Sequence, residues 1–293
     1  MRTSLDCIPC FIRQALDVSR MITTDEKAVA AAMKKVMAAM ANFDLSLTPP
    51  EAGQLIHRII REEMKERDPY SKLKERSTKR ALELAGRIKK TITGSKDPFE
   101  TAVRFSIAGN IMDFGMRSEW DEKHIMASFE KAEREAIDSK AVEKLYLDIK
   151  NAKTVLVLGD NAGETVFDRL LIETFPGNAD VFYAAKGSAV INDATADDAK
   201  QAGIDKVAKI LSNGVDSSGT LLNKCSEEFM TVFNRADVVI AKGQGNFETL
   251  NEAPRRIYFL LQVKCAVIAD FYGFSHGEWL VADSNKLKRS ELK

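Results

Sequence analysis

Several absences narrow what this 293-residue chain can be. It has only four cysteines, Cys7, Cys10, Cys225 and Cys265. That is too few for a disulfide framework in a chain of this size. Its three histidines, His57, His124 and His276, stand apart from the polar turns described below, which counts against a His-rich zinc site. No apolar run is long enough to cross a bilayer, and the first residues, Met1 to Cys7, lack the apolar stretch of a signal peptide. The expected compartment is therefore the cytoplasm, with no membrane partner. Excess charge is missing too: 43 Lys and Arg balance 43 Asp and Glu. A broad nucleic-acid surface would need a basic excess, so no nucleic-acid partner is expected. There is no internal repeat, no low-complexity tract and no Gly/Ser/Pro-rich linker.

What is present divides in two. Residues 1–150 carry helical periodicity and read as a helical region or cap. Thr23 with Glu26 gives a capping signal, followed by Val29, Met33, Val36 and Met40. Thr48, Pro49 and Glu51 repeat it ahead of Leu55, Ile59 and Ile60. Residues 71–91 read as a basic, exposed helix, and Phe99, Val103 and Ile107 mark another. From residue 151 to 293 the pattern changes to short apolar runs separated by helical segments. The runs are 154–158, 179–185, 207–211, 238–241 and 266–269. Such alternation implies βαβ units and an α/β fold with a mostly parallel, doubly wound sheet.

In a parallel sheet the C-terminal strand ends share one edge, where open α/β folds bind ligands. Polar residues collect after these runs: Asp160-Asn161-Ala162-Gly163-Glu164, Lys186-Gly187 leading to Asn192-Asp193, Ser212-Asn213-Gly214, Lys242-Gly243-Gln244-Gly245-Asn246, and Asp270. Asp160, Asn161 and Asp193 offer hard oxygen ligands suited to Mg²⁺ or Mn²⁺, with Co²⁺ or Ni²⁺ as further candidates. Lys186 and Lys242 can meet phosphate charge. Gly243 and Gly245 let backbone N–H groups, up to Asn246, approach an anion. Asn110 and Asp113, three apart in an apolar stretch, can share a helical face toward substrate. Each feature has a blander reading: Asp-Asn after a strand is commonly a helix cap, and Lys-Gly commonly a turn. Their coincidence on one edge favours a site. Cys7 and Cys10 form a CxxC with no second pair, which leaves a zinc site incomplete.

With these motifs in order, the sequence resembles the family first catalogued as domain of unknown function 89, now described as metal-dependent damage-control phosphatases. Asp6-Cys7-Ile8-Pro9-Cys10 resembles its prokaryotic branch. The resemblance implies Asp160, Asn161 and Asp193 as metal ligands and Lys242 as a contact to substrate phosphate. Eukaryotic members carry a glutamate five residues after the first metal aspartate; here Glu164 stands four after. The implied activity is hydrolysis of small phosphorylated metabolites, sugar phosphates or related, by a metal-activated water, with Asp160, Asp193 and Lys242 in catalysis. Carboxyl methyl transfer from S-adenosylmethionine and non-catalytic sugar-phosphate or nucleotide binding are the alternatives. An aspartyl-phosphate route fits poorly, because Ala162 stands where such enzymes place an acid.

Overall fold

The computed structural model describes residues 1–111, 130 and 132–287. Asp113 and His124 lie outside them. Six strands form one sheet in the order β3-β2-β1-β4-β5-β6. The strands are β1 (Thr154–Leu158), β2 (Asp180–Ala185), β3 (Lys209–Ser212), β4 (Val238–Lys242), β5 (Tyr258–Gln262) and β6 (Trp279–Asp283). All neighbours pair in parallel except β5 and β6. From β1 the chain winds outward to β3, then returns to the other side of β1 with β4. The α/β, doubly wound expectation is met, and the winding reverses between β1 and β4.

The sheet is buried on both sides because its strands alternate two apolar faces. Val155 and Val157 of β1 join Ile240, Leu260 and Val281 in one core. Leu156 and Leu158 join Val239, Phe259 and Leu261 in the other. Each such side chain, fully buried, contributes about 1.5–3 kcal/mol.

Helices α1 (Cys7–Ile22), α2 (Glu26–Ala41) and α3 (Pro49–Met64) share a separate core built on Phe11, Val36, Ile56 and Ile60. α3 starts at the expected box, where Thr48 N donates to Glu51 Oε2 at 2.9 Å. α2 starts two residues later than Thr23 implied, and Asp25 caps it by accepting from Lys27 N. α4 (Ser71–Gly94) and α5 (Pro98–Ile111), with α6 (Ser139–Asn151), lie in the first sheet core. The expected exposed helix at 71–91 is thus a correction. Ala81, Leu84 and Ile88 form a buried face, and only the opposite side is basic and solvated.

Two strands differ from expectation. The run at 266–269 opens helix α11 (Ala266–Tyr272), so Asp270 is exposed on a helix and not at the sheet edge. A four-residue apolar run does not separate a buried strand from a buried helix turn. The fifth strand is Tyr258–Gln262, and antiparallel β6 follows it. Further helices among the described residues are α7 (Thr165–Ile172), α8 (Ala196–Gln201), α9 (Glu227–Arg235) and α10 (Gly243–Leu250). Among the described residues no helix is long and apolar enough to cross a membrane.

Candidate active site

The reversal between β1 and β4 opens a crevice at their C-terminal ends. The chain leaves β1 through Gly159 and Asp160, and leaves β4 through Lys242 into α10. Asn161 and Asp193 form an isolated antiparallel bridge. Ala162 N donates to Asn192 O at 2.9 Å and Ala194 N to Asp160 O at 2.7 Å. Backbone pairing therefore brings Asp160, Asn161 and Asp193 together, although more than thirty residues separate them in sequence. Ile191, just before, holds φ at 44°, a conformation that costs a β-branched residue energy.

Gly243 closes the crevice from the β4 side. Its φ is 77°, and a Cβ there would stand 2.0 Å from Asp160 Oδ2. Gly243→Ala should therefore displace the Asp160 carboxylate as well as strain the backbone by about 1–3 kcal/mol. The expected result is a Mn²⁺ affinity reduced about 10–100-fold in calorimetric titration. An unchanged affinity would show that Asp160 does not hold the ion.

The side chains form a connected network. Asn110 Nδ2, from the end of α5, donates to Asp160 Oδ2 at 2.6 Å and to Glu164 Oε2 at 2.8 Å. Asn161 Nδ2 donates to the same two oxygens at 3.0 and 3.1 Å. Both amide nitrogens are thus committed to carboxylates, which turns the Asn161 Oδ1 acceptor away from them. Lys186 Nζ donates to Ser218 O at 2.8 Å. It stands 3.4 Å from Asp193 Oδ2, an ion-pair distance without a directed hydrogen bond. Asp193 Oδ2 is accordingly buried with no hydrogen-bond partner among the described residues.

Burial pushes the Asp160 carboxyl well above the usual carboxylate range, and the charges of Asp193 and Glu164 push it further. Burial likewise pushes Asp193 up to about 6, against the opposing charge of Lys186. Lys186 and Lys264 offset part of the negative charge at this spot, and burial outweighs them.

Lys242 occupies a different place from the one expected. Its side chain is 0% exposed. Its Nζ lies 2.5 Å from Glu164 Oε1, 2.6 Å from Asp168 Oδ1 and 3.0 Å from the Ser106 carbonyl. Ser106 Oγ and Tyr183 Oη both donate to Asp168. Burial disfavours the Lys242 ammonium, but Asp168 and Glu164 outweigh it and hold its pKa above the ordinary lysine value. The expectation of an ammonium at the crevice mouth is corrected: Lys242 lies beneath the floor, drawn there by two buried carboxylates. Asn246 is also turned inward. Its Nδ2 donates to the Gly159 and Lys242 carbonyls and its Oδ1 accepts from Thr220 Oγ1. Gly245 lines the cleft, and a Cβ there would stand 2.5 Å from the Ser218 carbonyl oxygen.

Above this floor is a cleft of about 460 Å³. Asn110, Asp160, Asn161, Asp193 and Lys264 line its inner end, and Arg13 and Asp17 of α1 face it from the helical side. Cys10 lines the cleft and Cys7 is buried at the start of α1; all four cysteines are free thiols.

The residues fit a divalent cation. Asp193 Oδ2 is buried with an ion pair to Lys186 but no hydrogen bond among the described residues, Asp160 Oδ1 and Asn161 Oδ1 accept nothing from the described residues, and all three belong to paired loops. Four buried carboxylates, Asp160, Asp193, Glu164 and Asp168, face two buried ammoniums, Lys186 and Lys242, leaving a formal excess of two negative charges. Among the described residues no three His, Cys, Asp or Glu side chains gather round one point. A cation here would rest on two carboxylates and a carboxamide, an oxygen set suited to Mg²⁺ or Mn²⁺. Asp168 and Lys264 escaped the sequence reading. The first looks like a helix-surface acid, and the second follows a strand that was not recognised.

Fold and site define a doubly wound α/β protein with an acidic pocket at its switch point and a helical wall over it. Residues 3–280 match the damage-control phosphatase ARMT1-like domain, and the chain belongs to that family. A damage-control phosphatase of Pyrococcus horikoshii is 35% identical, covering 98% of this chain and 100% of its own. One of Archaeoglobus fulgidus is 30% identical over 95% and 98%. An uncharacterized protein of Methanocaldococcus jannaschii is 35% identical over 93% and 92%. The crystal structure of a DUF89 family protein from Pyrococcus horikoshii superposes with a TM-score of 0.89 at 34% identity, covering 97% of this chain and 99% of that one.

Proposed function

We propose that this protein is a metal-dependent phosphatase that hydrolyses small phosphorylated metabolites, sugar phosphates or related compounds. The observation that carries the reading is the Asn161–Asp193 bridge at the switch point, which leaves Asp193 Oδ2, without a hydrogen bond among the described residues, beside Asp160 on the floor of a polar cleft. Family membership supports it. Asp160, Asn161 and Asp193 would hold Mg²⁺ or Mn²⁺. A divalent ion bound there supplies polarisation of a phosphoryl oxygen and a water of lowered pKa.

The chain's own groups do the positioning. Lys242 and Asp168 fix Glu164, and Glu164 in turn fixes the amides of Asn110 and Asn161. Such outer contacts set the orientation of ligand side chains. Lys186 keeps Asp193 in place from below. The α1 wall offers Arg13, Gln14 and Asp17, polar groups suited to a hydroxyl-rich substrate.

A screen against phosphorylated metabolites with Mg²⁺, Mn²⁺, Co²⁺ or Ni²⁺ tests this. Phosphate release is expected with metal and none with a chelator. If no compound is hydrolysed with any of the four ions, the reading is wrong. Methyl-donor binding in calorimetry would instead favour methyl transfer, and metal-dependent ligand binding without turnover would favour a sensor.

A further inference from the structure

Asp193 reaches the crevice on the loop 187–193, which starts two residues past β2 and contains Ile191 at a φ of 44°. A β-branched residue stays in that conformation where its surroundings impose it. Two contacts from the helical region do so. The Ile191 side chain packs against the core shared by α1, α2 and α3. Arg61 of α3 donates from Nη1 to the Ala189 carbonyl at 3.1 Å. The second arm of the same guanidinium, Nη2, donates to Asp216 Oδ2 at 2.9 Å. Asp216 stands in the segment 213–218 after β3 and gathers one face of α3. Gln54 Nε2 donates to it at 2.7 Å, and Arg58 donates from Nε at 2.8 Å and from Nη2 at 2.6 Å. Burial raises the Asp216 carboxyl, but the bonds from Arg58 and Gln54 outweigh burial and hold it below the usual carboxylate range. The two loops are also tied to each other. Gly187 N donates to Val215 O, and Lys186 Nζ to Ser218 O, both at 2.8 Å.

We propose that Arg61, anchored by Asp216, is a positioning residue that holds the loop 187–193 in the conformation bringing Asp193 to Asp160. This rests on the reading above that Asp160, Asn161 and Asp193 hold a divalent ion. The physical argument is one of opposing pushes. The charges of Asp160 and Asp193 repel one another, which drives the loop away from β1, and the backbone strain at Ile191 adds to that drive. Lys186 resists from below. Arg61 resists from the helical side, two residues before Ile191 and four before Asp193. A planar guanidinium can join a carboxylate on one arm to a carbonyl on the other, and its ionised donors make the stronger kind of hydrogen bond. Arg58 binds the same carboxylate from a half-exposed position, with no hydrogen bond to the loop among the described residues. The helical region thus does more than wall the cleft: through α3 it sets where a metal ligand stands.

The test compares the native protein with Arg61→Met, Arg61→Lys and Arg58→Met in two measurements. One is hydrogen exchange of the chelated protein, read at the amides of Gly187, Asp193 and Ala194. The other is Mn²⁺ affinity by calorimetric titration. In Arg61→Met the loop amides should exchange about 10-fold faster, as expected on losing a hydrogen bond from a charged donor. Mn²⁺ affinity should fall about 10-fold, the lower end of the loss on removing an outer partner of a metal site. Lysine keeps the charge but cannot span carbonyl and carboxylate together, so Arg61→Lys should show both changes to a lesser degree. Arg58→Met should stay within about two-fold of native in both, because an exposed ion pair contributes little. Native-like exchange or Mn²⁺ affinity in Arg61→Met, or in Arg61→Lys where the methionine variant does not fold, overturns the proposal. Equal losses in Arg58→Met also overturn it, since they would assign the effect to α3 packing at large. Failure of the native protein to bind Mn²⁺ removes the metal reading and this proposal with it. A Mn²⁺ site that depends on Arg61, in a protein that hydrolyses nothing in the screen, would uphold the proposal while removing the phosphatase reading.

Discussion

Asp160→Ala and Asp193→Asn should each reduce metal-dependent phosphate release to background while leaving a folded protein. Both carboxylates sit where burial already disfavours their charge. In the metal-free protein their ionisation therefore costs stability instead of supplying it. The sign follows from proton uptake. The Asp193 carboxyl titrates near 6 in the folded chain and at about 3.9 when unfolded. Below pH of about 4 both states are protonated. Between about 4 and 6 the unfolded chain releases its proton first, so stability falls as pH rises. The loss is on the order of 3 kcal/mol. Urea unfolding of the chelated protein should show this decline, and Asp193→Asn should flatten it. Added Mg²⁺ should restore stability at neutral pH in the native protein and not in either variant. Full activity in Asp160→Ala would place the chemistry elsewhere, and a pH slope unaltered in Asp193→Asn would mean that this carboxyl is not what the crevice strains.

Lys242→Met should be the most destabilising of the single changes considered. It removes the counter-charge from Glu164 and Asp168, both buried to 1% exposure. Breaking a buried ion pair from one side costs about 3–5 kcal/mol, because the remaining charge is left unpaired. The expected reading is a lower midpoint in urea unfolding together with loss of activity, since Glu164 no longer holds the Asn110 and Asn161 amides. Combining Lys242→Met with Glu164→Gln and Asp168→Asn removes all three charges and should recover most of the stability without the activity. A surface lysine in contact with substrate would behave otherwise, lowering activity with no change in unfolding. Lys242→Met with native stability would thus return Lys242 to the crevice mouth.

The contrast between Lys242 and Lys264 shows where sequence reading ran out. Lys-Gly-Gln-Gly-Asn after an apolar run marks a strand-to-helix turn at the sheet edge, and β4 and α10 stand there. Sequence does not say whether a side chain at the last strand position points up into the crevice or down into the layer below. That depended on Asp168, eight residues past Asp160 on α7, and on Ser106 of α5 packing over it. Lys264 was obscured for another reason. Tyr258–Gln262 follows Arg255-Arg256 closely, while Ala266–Ala269 offers a competing apolar run. Period alone does not arbitrate runs so short. The basic helix at 71–94 shows the same limit, since charge density concealed its buried stripe.

By itself the sequence determined the alternation that forces a mostly parallel, doubly buried sheet, the helical first half, and the polar strand ends that line the crevice. Those are properties of neighbouring residues and their period, and local physics fixes them. Tertiary structure decided which polar residues face one another. The bridge between Asn161 and Asp193, the descent of Lys242 beneath the floor and the exposure of Lys264 at the inner end of the cleft all depend on contacts between distant segments. Burial and charge pairing, the quantities that separate an enclosed structural lysine from an exposed one lining a cleft, exist only once those segments are packed.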